Sequence, residues 1–136
     1  MSDELVVEWR GRFTNEEIHR LHAEAFDTRL YDASEWDWEA QVERHSLGWV
    51  VARLDGRFVG FVNVPWDGLV HAFLEDVMVD EVARGSGVGV AIVQAARAGA
   101  AAAGCEHLHV NFEPDLAPFY IEACGFEQVM GGLIEL

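Results

Sequence analysis

The chain has 136 residues and a formal net charge of −15 at pH 7, and 51% of its residues are hydrophobic. This length favours one domain spanning residues 1–136, and the apolar content excludes a disordered chain. The acidity excludes general binding to nucleic acid or to anionic lipid surfaces, both of which require a basic surface. It is compatible with cationic small molecules as partners.

The sequence carries no sign of export or membrane insertion. No apolar run approaches the roughly 20 residues that a membrane span needs. The first ten residues, MSDELVVEWR, are acidic where a signal peptide would be basic and then apolar. Two cysteines, Cys105 and Cys124, are too few for a disulfide framework and are expected to be reduced. We therefore expect a cytoplasmic protein. All nine positive side chains are arginine, which fits a GC-rich genome and a high-salt habitat equally.

The first third of the chain predicts a strand and two helices. LVVEWRGRF has strand character, and Thr14 with Glu17 forms a capping-box pattern that opens a helix from Asn15 to about Phe26. A polar loop follows. Ser34 is the expected N-cap of a second helix that contains EWDWEAQVERH.

The middle of the chain predicts three antiparallel strands. LGWVVARL and RFVGFVNV flank an Asp55-Gly56 turn, which is a hairpin signature. A second turn, PWDG at 65–68, leads into the strand LVHAFLEDVMV. Because the connections are short, these strands should be sheet neighbours.

The last third predicts a helix, a strand, a short helix and a final strand or hairpin. An alanine-rich helix ends near Gly104, and HLHVNF follows as a strand. The segment 69–112 is then a crossover between parallel strands. DLAPFYIEAC should form a short helix closed by Gly125, and FEQVMGGLIEL the last strand or hairpin. The fold class is α+β or mixed α/β around one central sheet.

A glycine-rich turn precedes the alanine-rich helix in EVARGSGVGVAIVQAA, residues 81–96. Gly85, Gly87 and Gly89 allow a ligand to approach the main chain closely. The first N–H groups of a helix have no intrahelical partner, and the helix dipole adds partial positive charge there. Arg84 adds a full charge beside them. A phosphate or pyrophosphate is the ligand that this turn favours.

Three phosphate-binding patterns compete at this turn. A P-loop requires a lysine that the chain lacks. A dinucleotide fingerprint requires a glycine at Val90, but the third glycine comes one residue early. The remaining pattern is R-x-x-G-x-G, satisfied by Arg84, Gly87 and Gly89.

The chain resembles the GNAT superfamily of acetyl-CoA-dependent N-acetyltransferases over nearly its whole length. The resemblance rests on LEDVMVDEVARGSGVG (residues 74–89), on the small-residue helix that follows, and on FYIEACGF (residues 119–126). It implies a central mixed, mostly antiparallel sheet with splayed parallel central strands, flanked by about four helices. It also makes a homodimer reasonable.

The resemblance implies that acetyl-CoA is the co-substrate and that no metal takes part. The main chain of Val77, Met78 and Val79 would bind the pantetheine arm as an added strand. The pyrophosphate would be held by the turn and the first residues of the helix, namely Arg84, Gly85, Ser86, Gly87, Val88, Gly89 and Val90.

Glu75 is the leading candidate for the base that accepts the amine proton. The LED–V spacing resembles that of polyamine-acetylating relatives, in which the matching glutamate touches the amine. His71 falls on the same strand face by period-2 counting and is the second candidate, and a water chain is a third. The alternative for Glu75 is an ordinary solvated or ion-paired carboxylate.

Tyr120 matches the tyrosine that protonates the leaving thiolate of CoA in many members of the family. A phenol with a pKa of about 10 stays protonated at neutral pH and can donate as the thiolate develops. The alternative is an aromatic residue that packs in the core, a role that suits Phe119 better.

One face of the strand after the alanine-rich helix is polar, with Cys105, His107, His109 and Asn111. A metal site is disfavoured because a convincing fourth ligand is missing. His109 and Asn111 are expected to line the cleft. Asn111 lies further from the tyrosine than the usual cofactor-contacting asparagine of the family, and Glu113 occupies that place.

Acceptor specificity is expected from the first two helices and their loop, where Tyr31, Glu35, Trp36, Asp37 and Trp38 cluster, with Trp66 and Asp67 nearby. Carboxylates and aromatic faces suit a cation, although helix packing explains the tryptophans equally well. The predicted function is acetyl transfer to a primary amine of a small cationic molecule, or of a protein or peptide. A non-catalytic CoA-binding module and an NAD-dependent enzyme are the alternatives.

Overall fold

The computed structural model describes residues 4–136. The elements in chain order are β1 (Leu5–Trp9), α1 (Asn15–Phe26), α2 (Trp38–His45), β2 (Ser46–Leu54), β3 (Arg57–Pro65), β4 (His71–Val79), α3 (Val88–Ala102) and β5 (His107–Val110). Short 3-10 turns lie at Glu81–Ala83 and Pro114–Leu116, and a π-helical segment spans Pro118–Ala123. None of the helices within residues 4–136 is long and apolar enough to cross a membrane.

The five strands form one sheet in the order β1-β2-β3-β4-β5. Neighbours from β1 to β4 run antiparallel, and β5 runs parallel to β4. The predicted crossover is therefore present, with α3 connecting the two parallel strands. The mixed, mostly antiparallel sheet with its flanking helices confirms the predicted fold class.

The sheet separates two apolar cores. Helix α3 covers one face with Ile92, Val93 and Ala96, which pack on the inward side chains of the strands. Helices α1 and α2 cover the other face, where Trp38 is fully buried. Gly99 keeps α3 close to the sheet, because a Cβ there would lie 2.4 Å from the ring of Trp9.

The predicted capping box is confirmed, whereas the start of the second helix was predicted too early. Thr14 accepts from the Glu17 amide, and Glu17 accepts from the Thr14 amide. Helix α2 begins only at Trp38, and Asp37 is its N-cap through a 3.1 Å bond from the Ala40 amide. Ser34 instead donates its hydroxyl to Asp32, which holds the preceding loop in a turn.

Two strands of the second half are shorter than predicted, and the short helix is of another type. Strand β4 begins at His71 because the Asp67 carboxylate accepts from the Leu69 and His71 amides and keeps that segment in a turn. Strand β5 ends at Val110, before the predicted Asn111 and Phe112. In place of the predicted short helix, the chain forms a 3-10 turn followed by a π-helical segment. The second segment begins at Pro118, whose nitrogen carries no hydrogen and cannot donate a main-chain hydrogen bond.

The predicted C-terminal strand or hairpin is wrong for this chain as described. Residues 126–136 contain no strand. A strand exists only where its main-chain groups find a partner, and β5 pairs with β4 alone. Residues 126–136, from here on called the tail, therefore have the apolar pattern of a strand but do not pair as one within the single chain.

Candidate active site

The parallel strands β4 and β5 separate halfway along β4. Their pairing runs from His71 opposite His107 to Leu74 opposite Val110 and stops there. Beyond that point β4 pairs only with β3, through Glu75, Met78 and Val79. The edge of residues 75–79 that faces away from β3 is open to an added extended chain. The three predicted pantetheine-binding residues, Val77, Met78 and Val79, lie in this segment.

A β-bulge lies at the same place. Between the pairs Phe61–Met78 and Asn63–Glu75, β4 holds one residue more than β3. The extra residue is accommodated at Asp76, whose φ of 56° is left-handed. Bulges of this kind re-aim side chains and are frequent beside functional sites.

The bulge reverses the alternation of side chains along β4. Ala72 and Leu74 before it pack into the α3 core, whereas after it the odd residue Val77 does so and Met78 joins the other core. Counting from either end places Glu75 and Asp76 on the face opposite α3. The sequence predicted Glu75 for this face and missed Asp76, because regular alternation would have turned Asp76 the other way.

Asp76 has an unusual environment for a carboxyl group. It is mostly buried and has no side-chain hydrogen bond to any part of the chain between residues 4 and 136. Burial raises its pKa to about 6, and the charge of Glu75 adds to the shift. A carboxyl group that titrates near neutral pH is suited to proton transfer.

The glycine turn leaves the start of α3 available to an anion. Gly85 and Gly87 have φ of 81° and 86°, and no atom lies within 4 Å of the position of a Cβ on either. Gly87 is the N-cap and supplies no side chain, and the first turn holds no acidic residue. Helices α1 and α2, by contrast, begin with a side-chain cap and with acidic residues in the first turn. The amides of Val88, Gly89 and Val90 precede the first intrahelical bond, from Ala91 to Gly87.

Arg84 and Ser86 lie in this turn with partners of their own. The Arg84 Nε donates to the Val79 carbonyl at 3.2 Å, and its Nη2 lies 3.3 Å from Glu24 Oε1 of α1. The Ser86 hydroxyl donates to the Ala83 carbonyl. Arg84 thus connects the turn to the end of β4, and the positive charge of its guanidinium is partly neutralised by the carboxylate of Glu24.

Gly89 has a packing role that the sequence did not show. A Cβ at this position would lie 3.0 Å from the Phe119 ring, so the absence of a side chain lets the π-helical segment approach α3. Phe119 in turn contacts Tyr120 edge to face, with centroids 4.8 Å apart. Gly89 therefore affects the position of Tyr120, the candidate acid, through Phe119.

Tyr120 is 6% exposed and is held by aromatic neighbours. Its ring stacks on Phe112 at 5.0 Å and meets Phe126 edge to face at 6.1 Å. Burial, with a smaller contribution from Cys124, raises the pKa of the phenol to about 12. The hydroxyl is therefore a proton donor over the whole neutral range. Both expectations for Tyr120, a core aromatic and a proton donor, are compatible with this placement.

The structure brings His71 and His109 together, with Nδ1 and Nε2 2.8 Å apart. Both lie where β4 and β5 are paired, and His109 stacks on Phe73 at 4.9 Å. His71 is four residues from Glu75, roughly 13 Å along a strand. Asn111 is exposed and follows the end of β5. No three His, Cys, Asp or Glu side chains within residues 4–136 are arranged to hold a metal ion.

Of the predicted acceptor residues, Tyr31, Trp36 and Trp38 form an aromatic cluster with His22 of α1. Trp36 stacks on Trp38 at 4.3 Å and meets His22 at 5.0 Å. His19 Nδ1, His22 Nδ1 and Trp38 Nε1 are buried and have no hydrogen-bond partner among residues 4–136. Asp37, by contrast, caps the start of α2. The side-chain amide of Asn15, 3.0 Å away, and the main-chain amide of Ala40 donate to its carboxylate and lower its pKa.

A groove of about 580 Å³ lies elsewhere, between α2 and the loop before α1. It is lined by Arg10, Arg12, Glu17 and Trp49 among others, and it shares no residue with the glycine turn or the bulge. Arg53 also lines this groove, and its Nη1 is already paired with Glu17 Oε2 at 2.7 Å. The chemistry described above is therefore separate from this groove.

Asp80, which the sequence did not single out, anchors the end of β4. Its buried carboxylate accepts from Arg20 of α1 and Arg57 of β3, each at 3.2 Å, and from the Val82 amide. Burial alone would raise its pKa, but these hydrogen bonds lower it overall. An aspartate directly before a turn is a common capping signal, and it is the signal from which this role was predictable.

The splayed strands, the bulge and the uncapped helix belong to a mixed α+β protein that has an open strand edge next to a helix start accessible to an anion. The sequence matches the acetyltransferase (GNAT) family over residues 15–126, and the chain belongs to this family. No curated protein gives a significant sequence match.

Solved structures share the fold at low sequence identity. An acetyltransferase from Trypanosoma brucei superposes with a TM-score of 0.80 at 20% identity, over 98% of this chain and 100% of the other. The aminoglycoside N-acetyltransferase AAC(6')-Iy in complex with CoA gives 0.78 at 16%, over 100% and 96%. Glucosamine-6-phosphate N-acetyltransferase from Arabidopsis thaliana gives 0.73 at 16%, over 96% and 98%. These values establish a shared fold.

Proposed function

We propose that this protein transfers an acetyl group from acetyl-CoA to a primary amine of a small cationic molecule. The observation that carries the proposal is the continuity of the open β4 edge with the uncapped start of α3. An extended pantetheine arm fits the edge of residues 75–79, and its pyrophosphate then meets the amides of Val88, Gly89 and Val90. Gly85, Ser86 and Gly87 form the turn between them.

The chain supplies a proton acceptor on the amine side. An alkylamine with a pKa near 10.4 is protonated at pH 7, and neutralising it costs about 4.6 kcal/mol. Glu75 and Asp76 share one face at the bulge, so either is placed to take this proton, directly or through water. The neutral nitrogen then attacks the thioester carbonyl. His71 is a weaker candidate because it lies within the paired part of the strands.

Tyr120 serves the leaving group. As the carbon–sulfur bond breaks, its hydroxyl donates a proton to the CoA sulfur. The nitrogen, now bonded to the acetyl carbon, loses its second proton, which returns through water to the tyrosinate, so that the products are an acetamide and free CoA thiol. The raised pKa of Tyr120, about 12, keeps the phenol protonated before the step. A low-dielectric aromatic surround strengthens its hydrogen bond to a developing thiolate.

The acceptor is expected between the bulge and the aromatic cluster of α1 and α2. Trp36, which is half-buried, offers an aromatic face there, and it rests on the buried side chains of His22 and Trp38. The two carboxylates at the bulge and the net charge of −15 favour a cationic amine. Of the acceptors named for the similar structures, the cationic aminoglycoside suits these carboxylates better than the anionic sugar phosphate does.

Ligand-dependent melting and thiol release test the proposal. We expect acetyl-CoA and CoA to raise the melting temperature and NADH to leave it unchanged. A panel of amines should release CoA thiol from acetyl-CoA, with polyamines and aminoglycosides faster than glucosamine-6-phosphate. Stabilisation by NADH alone would indicate an NAD-dependent enzyme, and CoA binding without thiol release from any amine would indicate a non-catalytic module. Peptide amines belong in the same panel. Cytoplasmic location stays a prediction.

A further inference from the structure

The groove between α2 and the loop before α1 holds charged side chains that take no part in the proposed acetyl transfer. Its volume of about 580 Å³ is in the range of sites that bind small molecules. Three of the nine arginines of this acidic chain line it, namely Arg10, Arg12 and Arg53. The charges in the groove therefore call for a ligand of their own.

One wall of the groove is the loop that leads from β1 to α1, and it is positive. The guanidinium of Arg10 is fixed, because its Nη1 donates to the Leu47 carbonyl at 2.8 Å and it lies 4.6 Å from the centroid of the Trp49 ring. The side chain of Arg12 is exposed and donates no hydrogen bond to the rest of residues 4–136. The five ion pairs found within residues 4–136 include neither arginine. Both charges are thus available to an anionic group.

The other wall is helix α2, and it is negative. Glu39 and Glu43 both line the groove. They are four residues apart, so they lie on one face of the helix, where two like charges repel each other. Glu39 accepts a hydrogen bond from the side-chain amide of Asn15 at 3.0 Å, whereas Glu43 is exposed. Neither glutamate belongs to an ion pair within residues 4–136. A cationic group between the walls would relieve the repulsion.

The part of the groove between these walls is neutral or apolar. Arg53 and Glu17 neutralise each other through two hydrogen bonds of 2.7 and 2.9 Å, and this contact lowers the pKa of Glu17. The floor consists of three core residues, Phe13, Val42 and Trp49. A ligand that spans the groove therefore meets a positive end, an apolar middle and a negative end.

This order of charges selects a ligand by its two ends. A simple anion suits the arginine wall but is repelled by the glutamates, and a simple cation has the opposite difficulty. A zwitterion suits both walls, because its carboxylate accepts paired hydrogen bonds from a guanidinium and its ammonium donates to a carboxylate. An apolar side chain between the two ends suits the floor. Free amino acids and short peptides have this chemistry.

We propose that this groove binds a zwitterionic apolar amino acid or dipeptide, with its carboxylate at Arg10 and Arg12 and its ammonium at the two glutamates of α2. The groove shares no residue with the glycine turn or with the bulge of β4. Binding at this site is therefore a function additional to acetyl transfer, and it requires neither acetyl-CoA nor the acceptor amine.

Calorimetric titration of the full chain without acetyl-CoA tests the proposal with matched ligands. L-leucine and leucyl-leucine carry both charges, their methyl esters lack the carboxylate, and their N-acetyl derivatives lack the ammonium. We expect at least one zwitterion to bind, and both of its blocked forms to bind about tenfold more weakly. The better of the two zwitterions shows whether the free amino acid or the peptide is the ligand. If neither binds at millimolar concentration, or if the blocked forms bind equally well, the proposal is wrong.

Two variants assign the ends of the ligand to the walls. Arg12→Gln should reduce the preference for the zwitterion over its methyl ester and leave the preference over the N-acetyl derivative intact. Glu43→Gln should do the reverse. Arg44→Gln is the matched control, because Arg44 is exposed on α2 but does not line the groove, and it should bind as the wild type does. Variants that weaken all ligands equally, or none, would overturn the proposal.

The affinity for acetyl-CoA and the melting temperature are measured on the same chains. Both should be unchanged by Arg12→Gln and Glu43→Gln, which shows that the fold is intact. Because these measurements address the glycine turn and the groove separately, a failure of the groove to bind a zwitterion is distinguishable from a failure of the proposed function.

Discussion

Two aspartates four residues apart illustrate how local environment decides the role of a side chain. Asp76 is mostly buried at the bulge without a hydrogen-bond partner within residues 4–136, and this partial burial raises its pKa to about 6. Asp80 is buried against Arg20 and Arg57, and its pKa is lowered by the bonds it accepts. The first arrangement destabilises the ionised carboxylate and the second stabilises it. One is suited to exchange a proton and the other to hold the fold.

Replacing each aspartate by asparagine should therefore change stability in opposite directions at pH 8. Asp76 binds its proton more tightly in the folded state than in the unfolded state, so wild-type stability falls as the pH rises from about 4 to about 6. Asp76→Asn removes up to about 3 kcal/mol of this penalty and should raise the melting temperature. Asp80→Asn should lower the free energy of unfolding by about 2 kcal/mol, because bonds to a charged acceptor are lost.

The pH dependence distinguishes the two effects. The difference for Asp76→Asn should vanish below pH 4, where the wild-type carboxyl group is protonated in both states. Asp80 has a lowered folded pKa, so its contribution is present above its ordinary pKa and is lost only as the pH falls through the lowered value. Thermal melts from pH 3 to 8 measure both. If the two variants shift the melting temperature in the same direction at pH 8, the assignment of these environments is wrong.

Removing the Tyr120 hydroxyl should separate catalysis from binding. Tyr120→Phe is expected to lower kcat about a hundredfold, the range for loss of a general acid. The ring contacts with Phe112 and Phe119 remain, so the dissociation constant of acetyl-CoA should change little. Thiol-release kinetics and calorimetric titration give the two numbers. A large loss of binding with unchanged kcat would identify Tyr120 as a packing residue.

At the scale of elements, the start of α3 differs from the starts of the other two α-helices. Helices α1 and α2 begin with side-chain caps and acidic residues that satisfy and neutralise their first amides. Helix α3 begins at a bare glycine in the left-handed region and has neither. Because neither a side chain nor an acidic residue competes for its first amides, this helix start suits the anionic group that we propose for it.

Gly87→Ala should weaken acetyl-CoA binding beyond its effect on stability. The φ of 86° costs an alanine about 1 kcal/mol, and the added methyl group stands where a phosphate approaches the amides. Gly56→Ala is the matched control, because Gly56 has a φ of 85° and equally open surroundings in the turn between β2 and β3. Both variants should lose similar stability, and only Gly87→Ala should lose affinity for acetyl-CoA. Equal affinities in calorimetry would remove the turn from the binding site.

At the scale of the whole molecule, the net charge of the protein has the same sign as the charge of the proposed co-substrate, so the two repel each other at long range. The chain carries −15, acetyl-CoA is also an anion, and Arg84 beside the turn shares its charge with Glu24. Long-range repulsion should therefore slow the encounter, and salt should screen that repulsion beyond a Debye length of about 8 Å at physiological ionic strength. In the proposed binding mode, contact with acetyl-CoA relies on main-chain amides rather than on a basic surface.

The association rate of acetyl-CoA should accordingly rise with ionic strength. Stopped-flow binding between low and physiological salt measures the slope, with the dissociation rate recorded in parallel as the short-range control. Glu24→Gln should make the rise shallower, because it removes one repelling charge and leaves Arg84 unshared. A rate that falls with added salt would show that the local field of Arg84 dominates over the net charge.

The order of elements up to β5, the capping box of α1, the hairpin at Gly56 and the glycine turn before α3 were all predictable from the sequence, because each depends on neighbouring residues. The family resemblance likewise rested on contiguous motifs. The tertiary structure decided the rest. Only strand pairing shows that β4 carries an extra residue at Asp76, which puts two carboxylates on one face. Only packing shows that Gly89 makes room for Phe119 and that Asp80 joins α1 to β3. The tail reads as a strand in sequence, but a strand needs a partner, and within one chain the edge of β5 and the tail remain apart.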